Sequence, residues 1–344
     1  MKLPTLSVII PNFNHGHCIG RALEALLTQS VRPAEIIVID DASTDDSVAV
    51  VDAFAKRDPS VRLLRNDKNM GTHPAANKGI VNASGEFVHV TASDDQVMPG
   101  FVEKSLNVLA RHPAAGLCWS DNMTYDVEKK VFNPNRLRLS DGHCYFSPAE
   151  IAQGLRKNYI PCLSGHSSVI RRSALMEAGM LIPQLHWHAD GFTPTIVALR
   201  YGACYVPDVL MCIEMSSSSY MRKGVRQKKE RRRVLKCMLD LGKSPEYADV
   251  YPAVRASAFL GWFDFPMLAA VLLNPRHWDY LNAAFLRKVL WNGMKKNISN
   301  FSPHFAQAAY HRIRDGYRGR IRRGLQNGYT QSIRHNVTPA EKTI

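Results

Sequence analysis

The sequence has no apolar run long enough to cross a bilayer and no paired cysteines. Its most apolar stretch, Ala258 to Leu273, is interrupted by Asp264 and Pro266 and is shorter than the ~18 residues a spanning helix needs, so no membrane span is expected. The seven cysteines, Cys18, Cys118, Cys144, Cys162, Cys204, Cys212 and Cys237, are odd in number and scattered, without a Cys-x-x-Cys pair. That argues against a disulfide framework or a zinc knuckle and for reduced thiols in a cytoplasmic protein. The histidine pairs in His15-Gly16-His17 and His186-Trp187-His188 lack further ligands at metal-binding spacing. Met1-Lys2-Leu3-Pro4 runs directly into strand-like residues, so no secretory leader is expected. Acidic residues are scarce in one region: residues 220–335 hold 7 Asp and Glu against 23 Lys and Arg, whereas residues 1–219 hold 22 against 20. The net charge of +14 therefore resides in the C-terminal third.

What is present is a globular composition, 45% hydrophobic and 22% charged, over 344 residues, with strand-like and helix-like segments alternating. Leu6 to Ile10 is apolar and β-branched. Cys18 to Gln29 carries Ile19, Leu23, Leu26 and Leu27 at helical spacing. Glu35 to Ile39 is a second near-continuous apolar strand, Val61 to Leu64 a third, and Glu86 to Val90 a fourth, with helices predicted between them. Ser43-Thr44-Asp45-Asp46 and Ser147-Pro148-Ala149-Glu150 both have the form of a capping box, and Gly154 is read as the end of the second helix. This alternation predicts a doubly wound, mostly parallel α/β sheet closing near residue 215, in a domain of residues 1–215. Ser216 to Ser219 reads as a linker, residues 216–335 as a smaller, basic, mainly helical region, and residues 336–344 as a flexible tail.

Two pairs of acids end strands: Asp40-Asp41 after the second and Asp94-Asp95 after the fourth. In open α/β sheets the ligand crevice lies at the carboxyl ends of the strands. Paired aspartates there suit a hard divalent cation, Mn²⁺ or Mg²⁺, bridging to an anionic substrate; the alternative is a turn before Pro99-Gly100.

Five segments, taken together, resemble the family-2 glycosyltransferases: Ser7 to Asn14, Ile37 to Asp45, Gly71 with Ala76 to Ile80, Ala83 to Phe87, and Ser93-Asp94-Asp95 with Pro99-Gly100. The resemblance covers about residues 5–215 and implies the GT-A fold, a nucleotide-sugar donor, a divalent metal and inversion at the anomeric carbon. Carried over by position, Pro11, Phe13 and Asn14 with Ser43 and Asn77 belong to the donor pocket, and Asp41 accepts a hydrogen bond from the base, for which the imide N–H of uracil in a UDP-sugar is suited. Asp95 is the expected metal ligand, and Asp94 lies beside it toward the metal and the sugar or ribose. Asp190 stands where the family places its general base, the alternative being an ordinary helix cap. His166 reaches the diphosphate or acceptor, or is a buried structural histidine.

The chain departs from the family pattern at Ala92 and Ala189, where acids are common; a weakly active, nucleotide-sugar-binding scaffold is therefore the alternative function. It also lacks the Gln-x-x-Arg-Trp motif of processive synthases. The resemblance thus implies a non-processive transfer to a glycan or lipid-linked acceptor in surface polysaccharide assembly. The basic run Met221 to Lys236 and the helical repeat of Ala309, Tyr310, Ile313, Tyr317, Ile321 and Leu325 suit an anionic membrane surface, or form a solvated charged face. The expected location is the cytoplasm, peripheral on the inner face of the membrane. No nucleic-acid motif is present, so no nucleic-acid partner is expected.

Overall fold

A computed structural model describes residues 2–161, 163–217, 224 and 227–301, the side chains of 295–301 excepted. Cys162, the expected linker residues Ser218 and Ser219, the basic residues Arg222, Lys223 and Arg226, the repeat from Ala309 to Leu325 and the tail 336–344 lie outside the described residues. The chain divides into a compact unit, Met1–Val289, and a second unit, Leu290–Ile344.

The predicted alternation forms: β1 (Leu6–Asn12), α1 (Gly16–Leu27), β2 (Glu35–Asp40), α2 (Ser47–Arg57), β3 (Val61–Arg65), α3 (Thr72–Asn82) and β4 (Phe87–Val90). Strand β1 pairs in parallel with β2 and β4, and β2 with β3, so this half of the sheet runs β3-β2-β1-β4. Every residue of β1 and β2 is buried, as expected of strands covered on both faces. Helix α3 lies close on this sheet at Gly79, where a Cβ would stand 2.4 Å from Ile9 and 2.6 Å from Ile39.

The second half is mixed. After β5 (Gln96–Val97) and α4 (Phe101–Arg111), β6 (Leu117–Asp126) runs parallel to β10 (Ala203–Met215), and the antiparallel β9 (Ser168–Arg171) is inserted between β4 and β6. Two segments expected near Tyr205 and Leu210 are one strand, β10, whose register shifts between Val206 and Val209, where Pro207 cannot donate to the ladder. β7 (Val131–Asn135) pairs with β6, and β8 (Cys144–Phe146) with β10. This is the expected GT-A-type α/β sheet.

The two capping boxes part ways. In α5 (Pro148–Lys157) Ser147 accepts from Glu150 N at 3.3 Å and Glu150 accepts from Ser147 N at 2.8 Å. Gly154 does not end this helix; it makes room for Ile160, and Asn158, in the left-handed region at φ 64°, ends it. Ser43 caps nothing, because neighbouring side chains claim the turn. Asp45 accepts from Gly16 N (2.9 Å) and Ser47 N (3.0 Å), Asp40 takes the Ser43 N–H at 3.1 Å, and α2 starts only at Ser47.

The helical elements after the sheet belong to the same compact unit. They are α6 (Arg172–Glu177) and α7 (Ala189–Tyr201) from the sheet domain, then α8 (Lys228–Gly242), α9 (Tyr251–Ser257), α10 (Asp264–Leu272) and, as far as Val289, α11, which opens at Ala283 and ends at Phe301. Tyr247 donates to the Ala178 carbonyl at 2.9 Å, Arg200 forks onto Asp249 at 2.6 and 2.7 Å, and the buried Lys288 donates to the Leu155 carbonyl at 2.5 Å. No single helix among the described residues is long and apolar enough to cross a membrane.

At the start of β2, Glu35 is buried and accepts from Ser7 Oγ, Ser84 N and Ser84 Oγ while facing Arg62 at 2.5 Å. Burial alone would raise its carboxyl, but the Ser84 bonds and the others outweigh it and bring the pKa to about 2. A folded-state pKa below the unfolded one gives stability that is present above about 4.5 and lost as pH falls toward 2. Glu35→Gln should therefore lower unfolding free energy at pH 7 by about 1–3 kcal/mol. Denaturant melts should show the difference from the unmodified protein shrinking below pH 4.5; a constant difference would contradict the assignment.

Candidate active site

The carboxyl ends of β1, β2 and β4 open on one crevice, at the point where the strand order reverses around β1. At the end of β1, Asn12 Nδ2 reaches Asp40 Oδ1 at 3.3 Å and Ser43 Oγ at 3.4 Å. Asn14 sits in the left-handed region at φ 55°, its N–H donating to Ser43 Oγ (2.9 Å) and its side-chain oxygen accepting from Thr44 N (2.8 Å). Ser43 is thus the knot that ties the loop after β1 to the loop after β2. Pro11 is buried in β1, whereas Phe13 is 43% exposed, an aromatic face at the crevice rim.

Asp41 and Asn77 are held by the protein itself. Asp41 is buried and accepts from Asn66 Nδ2 (2.7 Å), Met70 N (2.9 Å) and Gly71 N (2.8 Å), so it shapes the loop between β3 and α3. A base N–H would have to share these oxygens. Asn77, expected in the donor pocket, exchanges hydrogen bonds with the backbone of Leu181 at 2.9 and 3.0 Å and anchors α3 to the segment ahead of α7.

The paired acids after β4 are unlike each other. Asp95 is 2% exposed and accepts from Glu214 N at 3.0 Å and from His166 Nδ1 at 2.8 Å. Asp94 is half-buried, and its carboxyl is pushed up by burial first and by the negative charge of Asp95 second. A carboxylate whose proton affinity is raised by burial and by the acid beside it belongs to a donor set that a divalent cation would relieve. Among the described residues no three His, Cys, Asp or Glu side chains converge to hold an ion on their own. The two aspartates fit a metal whose remaining shell comes from a substrate.

His166 joins the halves of the site. Its Nδ1 lies 2.8 Å from Asp95 and its Nε2 lies 3.1 Å from Asp190 Oδ2, in the first turn of α7. Burial disfavours charge on this ring, but Asp190 and Asp95 outweigh it and raise its pKa well above the ordinary value. Asp190 responds in kind: burial would raise it, and the His166 hydrogen bond holds it below the usual carboxylate range. Glycine before the histidine keeps the approach close, since a Cβ on Gly165 would stand 3.0 Å from the Asp190 carbonyl, a tight contact.

Sequence reasoning missed several neighbours. His73 and His188 both lie within electrostatic reach of Asp190; burial lowers each, His188 to about 4, against the pull of that carboxylate. His15 Nδ1 is 2.6 Å from Ser93 Oγ, and Glu214 comes from the far end of β10. The His-x-His patterns at 15–17 and 186–188 were the only hints of any of these.

A family model, Glycosyl transferase family 2, matches residues 7–179. The chain belongs to glycosyl transferase family 2. The family match takes in the crevice from β1 to His166; Asp190 lies beyond it. An uncharacterized Mycobacterium tuberculosis protein, MT1568, is 26% identical over 298 residues, covering 81% of this chain and 89% of its own. The GalNAc(5)-diNAcBac-PP-undecaprenol beta-1,3-glucosyltransferase of Campylobacter jejuni is 36% identical over 99 residues, covering 28% of this chain and 32% of that enzyme. Apart from the mycobacterial protein, the similar curated relatives are matched over less than half of their own lengths. Among solved structures, S. aureus TarS 1-349 with UDP-GlcNAc superposes with a TM-score of 0.61 at 17% identity, covering 94% of this chain and 92% of TarS. The mannosyltransferase PcManGT of Pyrobaculum calidifontis, with GDP-Man and Mn²⁺, gives 0.55 at 19%, covering 96% and 88%. These likenesses show the GT-A fold.

In this family-2 chain, loss of the His166 contact should move the titration of Asp190. His166→Gln removes the positive charge that lowers Asp190 while leaving its burial, so the Asp190 carboxyl should titrate at higher pH. Carbon-13 NMR of labelled aspartate checks this; an unchanged Asp190 titration would show that His166 does not govern it.

Proposed function

We propose that the chain is a metal-dependent, inverting glycosyltransferase that moves a single hexosyl or N-acetylhexosaminyl group from a nucleotide sugar, UDP favoured, to a glycan or lipid-linked acceptor in surface-glycan assembly. The observation that carries the reading is the bridge from Asp95 through His166 to Asp190, which ties the two carboxylates to opposite nitrogens of one ring. A sugar seated alongside this bridge would have its leaving group toward Asp94 and Asp95 and its opposite face toward Asp190. The acceptor hydroxyl oxygen bonds the anomeric carbon, its proton passes to Asp190, and the bond to the diphosphate oxygen breaks with its electron pair. Asp94 and Asp95 would hold Mn²⁺ or Mg²⁺, which when bound offsets the charge gathering on the diphosphate.

Phe13 offers a face for the base, and Asn12 Oδ1 and Thr91 Oγ1, at the ends of β1 and β4, are buried acceptors without partners that donor hydroxyls would satisfy. The donors in the TarS and PcManGT structures support a nucleotide sugar, and Mn²⁺ in the latter supports a metal. The undecaprenol-linked substrate in the Campylobacter name supports a lipid-linked acceptor, and with it a cytoplasmic, peripheral location.

Two substitutions test the assignment by metal-dependent hydrolysis of UDP-, dTDP- and GDP-sugars. Asp95→Asn should abolish most Mn²⁺-dependent turnover with melting temperature retained, since a neutral amide is a poor ligand for a hard cation. Full activity of that variant, or of the unmodified protein in excess chelator, would refute the metal role. Asp190→Asn should lower transfer at saturating donor by roughly 10²–10⁴ with donor affinity kept. Absence of turnover with any donor would leave the scaffold reading that Ala92 and Ala189 raised.

A further inference from the structure

Helix α10 is apolar on both sides. Met267 and Val271 are buried, while Phe265, Ala269 and Leu272 recur at one-turn spacing on the outward face. Trp262 stands one turn before this stripe and Leu273, 84% exposed, follows it. The Trp278 indole donates to the Leu272 carbonyl at 3.3 Å, which fixes its half-exposed ring beside the stripe. Five large apolar side chains, two of them tryptophan, therefore face solvent together, which a soluble protein rarely leaves without a partner.

The charges around the stripe are lopsided. Asp264 faces Arg231 at 3.8 Å, Asp279 faces Lys243 at 2.7 Å and bonds Tyr251, and Asp240 faces His277 at 3.0 Å. Asp264 and Asp279 are thus paired with cations and Asp240 with a histidine that burial keeps from charging, while Arg276 and Arg287 are exposed. Residues 227–289, which contain this face, carry 11 Lys and Arg against 6 Asp and Glu. A second copy of the chain would bring the same positive charge against itself. An anionic bilayer complements both the apolar stripe and the charge, because tryptophan, phenylalanine and leucine partition into the headgroup boundary while arginine pairs with lipid phosphate. The segments Tyr251–Ser257 and Phe259–Leu272 are bent by 48° to each other, so they do not make one straight span.

We propose that the outward face of α10, with Trp262, Phe265, Leu272, Leu273 and Trp278, inserts into the headgroup boundary of an anionic membrane, with Arg276 and Arg287 against its phosphates. The proposal deepens the peripheral location given above and rests on it for which leaflet is met. The unmodified full chain should sediment with phosphatidylcholine–phosphatidylglycerol vesicles, bind phosphatidylcholine alone weakly, and lose tryptophan fluorescence when the acyl chains are brominated. Phe265→Asp with Leu273→Asp should weaken vesicle binding by more than about tenfold, with melting temperature and donor hydrolysis unchanged. Equal binding by the double variant, or binding of the unmodified chain without bromine quenching, would overturn insertion and leave charge alone. A concentration-dependent dimer that the double variant abolishes, without vesicle binding, would overturn it in favour of a self-interface. Should the variant fail to fold, quenching of the unmodified chain decides. Donor hydrolysis that fails while vesicle binding holds would sink the enzymatic reading and leave this one standing.

Discussion

The site depends on one constraint, the holding of two distant carboxylates, Asp95 and Asp190, on the two nitrogens of one histidine, with Asp94 beside Asp95. Carboxylates taken out of water cannot remain ionised without compensating charge, since each buried anion loses hydration. His166 supplies part of that compensation by donating from both ring nitrogens, which only the protonated ring can do. Its position follows from the antiparallel β9: the short turn at Gly165–Ser167 ahead of that strand brings the histidine between the end of β4 and the start of α7. The inserted strand is therefore what lets two distant parts of the sequence share one ring.

The remaining negative charge sits on Asp94. Its raised pKa marks a site that is electrostatically incomplete, and a cation or a proton can complete it. The nucleotide side of the crevice is built differently, by saturating its polar groups internally. Asp41, Asp40, Asn14 and Ser43 are bonded to backbone N–H groups and to one another, so the loops after β1, β2 and β3 are preorganised before anything binds. One half of the crevice is rigid and satisfied; the other is held ready by charge.

Much of this was legible in the sequence, because the first four strands are continuous apolar runs and their polar punctuation falls at their ends. Asp94, Asp95, His166 and Asp190 were all singled out, and the structure brings Asp95, His166 and Asp190 into contact. What misled was local pattern without knowledge of tertiary competitors. Ser43 has the spacing of a cap but is claimed by Asn14, and Asn77 is claimed by Leu181, a partner 104 positions away. Glu214, which braces Asp95 from 119 positions away through a backbone N–H, left no side-chain signature at all. His73 carried no local signal of Asp190, and the His-x-His pattern around His188 read as a metal motif short of ligands rather than as a neighbour of that carboxylate.

The helical elements after β10 change what the catalytic half can be. They hold Arg200 on α7, the Ala178 carbonyl at the end of α6 and the Leu155 carbonyl on α5 through Asp249, Tyr247 and Lys288, and His186, just ahead of α7, faces Glu230 at 3.0 Å. Asp190 stands in the first turn of α7, so it is braced on one side by the sheet through His166 and on the other by these helices. The region is therefore part of the scaffold that positions Asp190. The same layer turns the apolar stripe of α10 outward. A surface that met a membrane through that stripe would be joined to the base through a few rigid helices, which would fix the crevice at a set height above the lipid from which a tethered acceptor must rise.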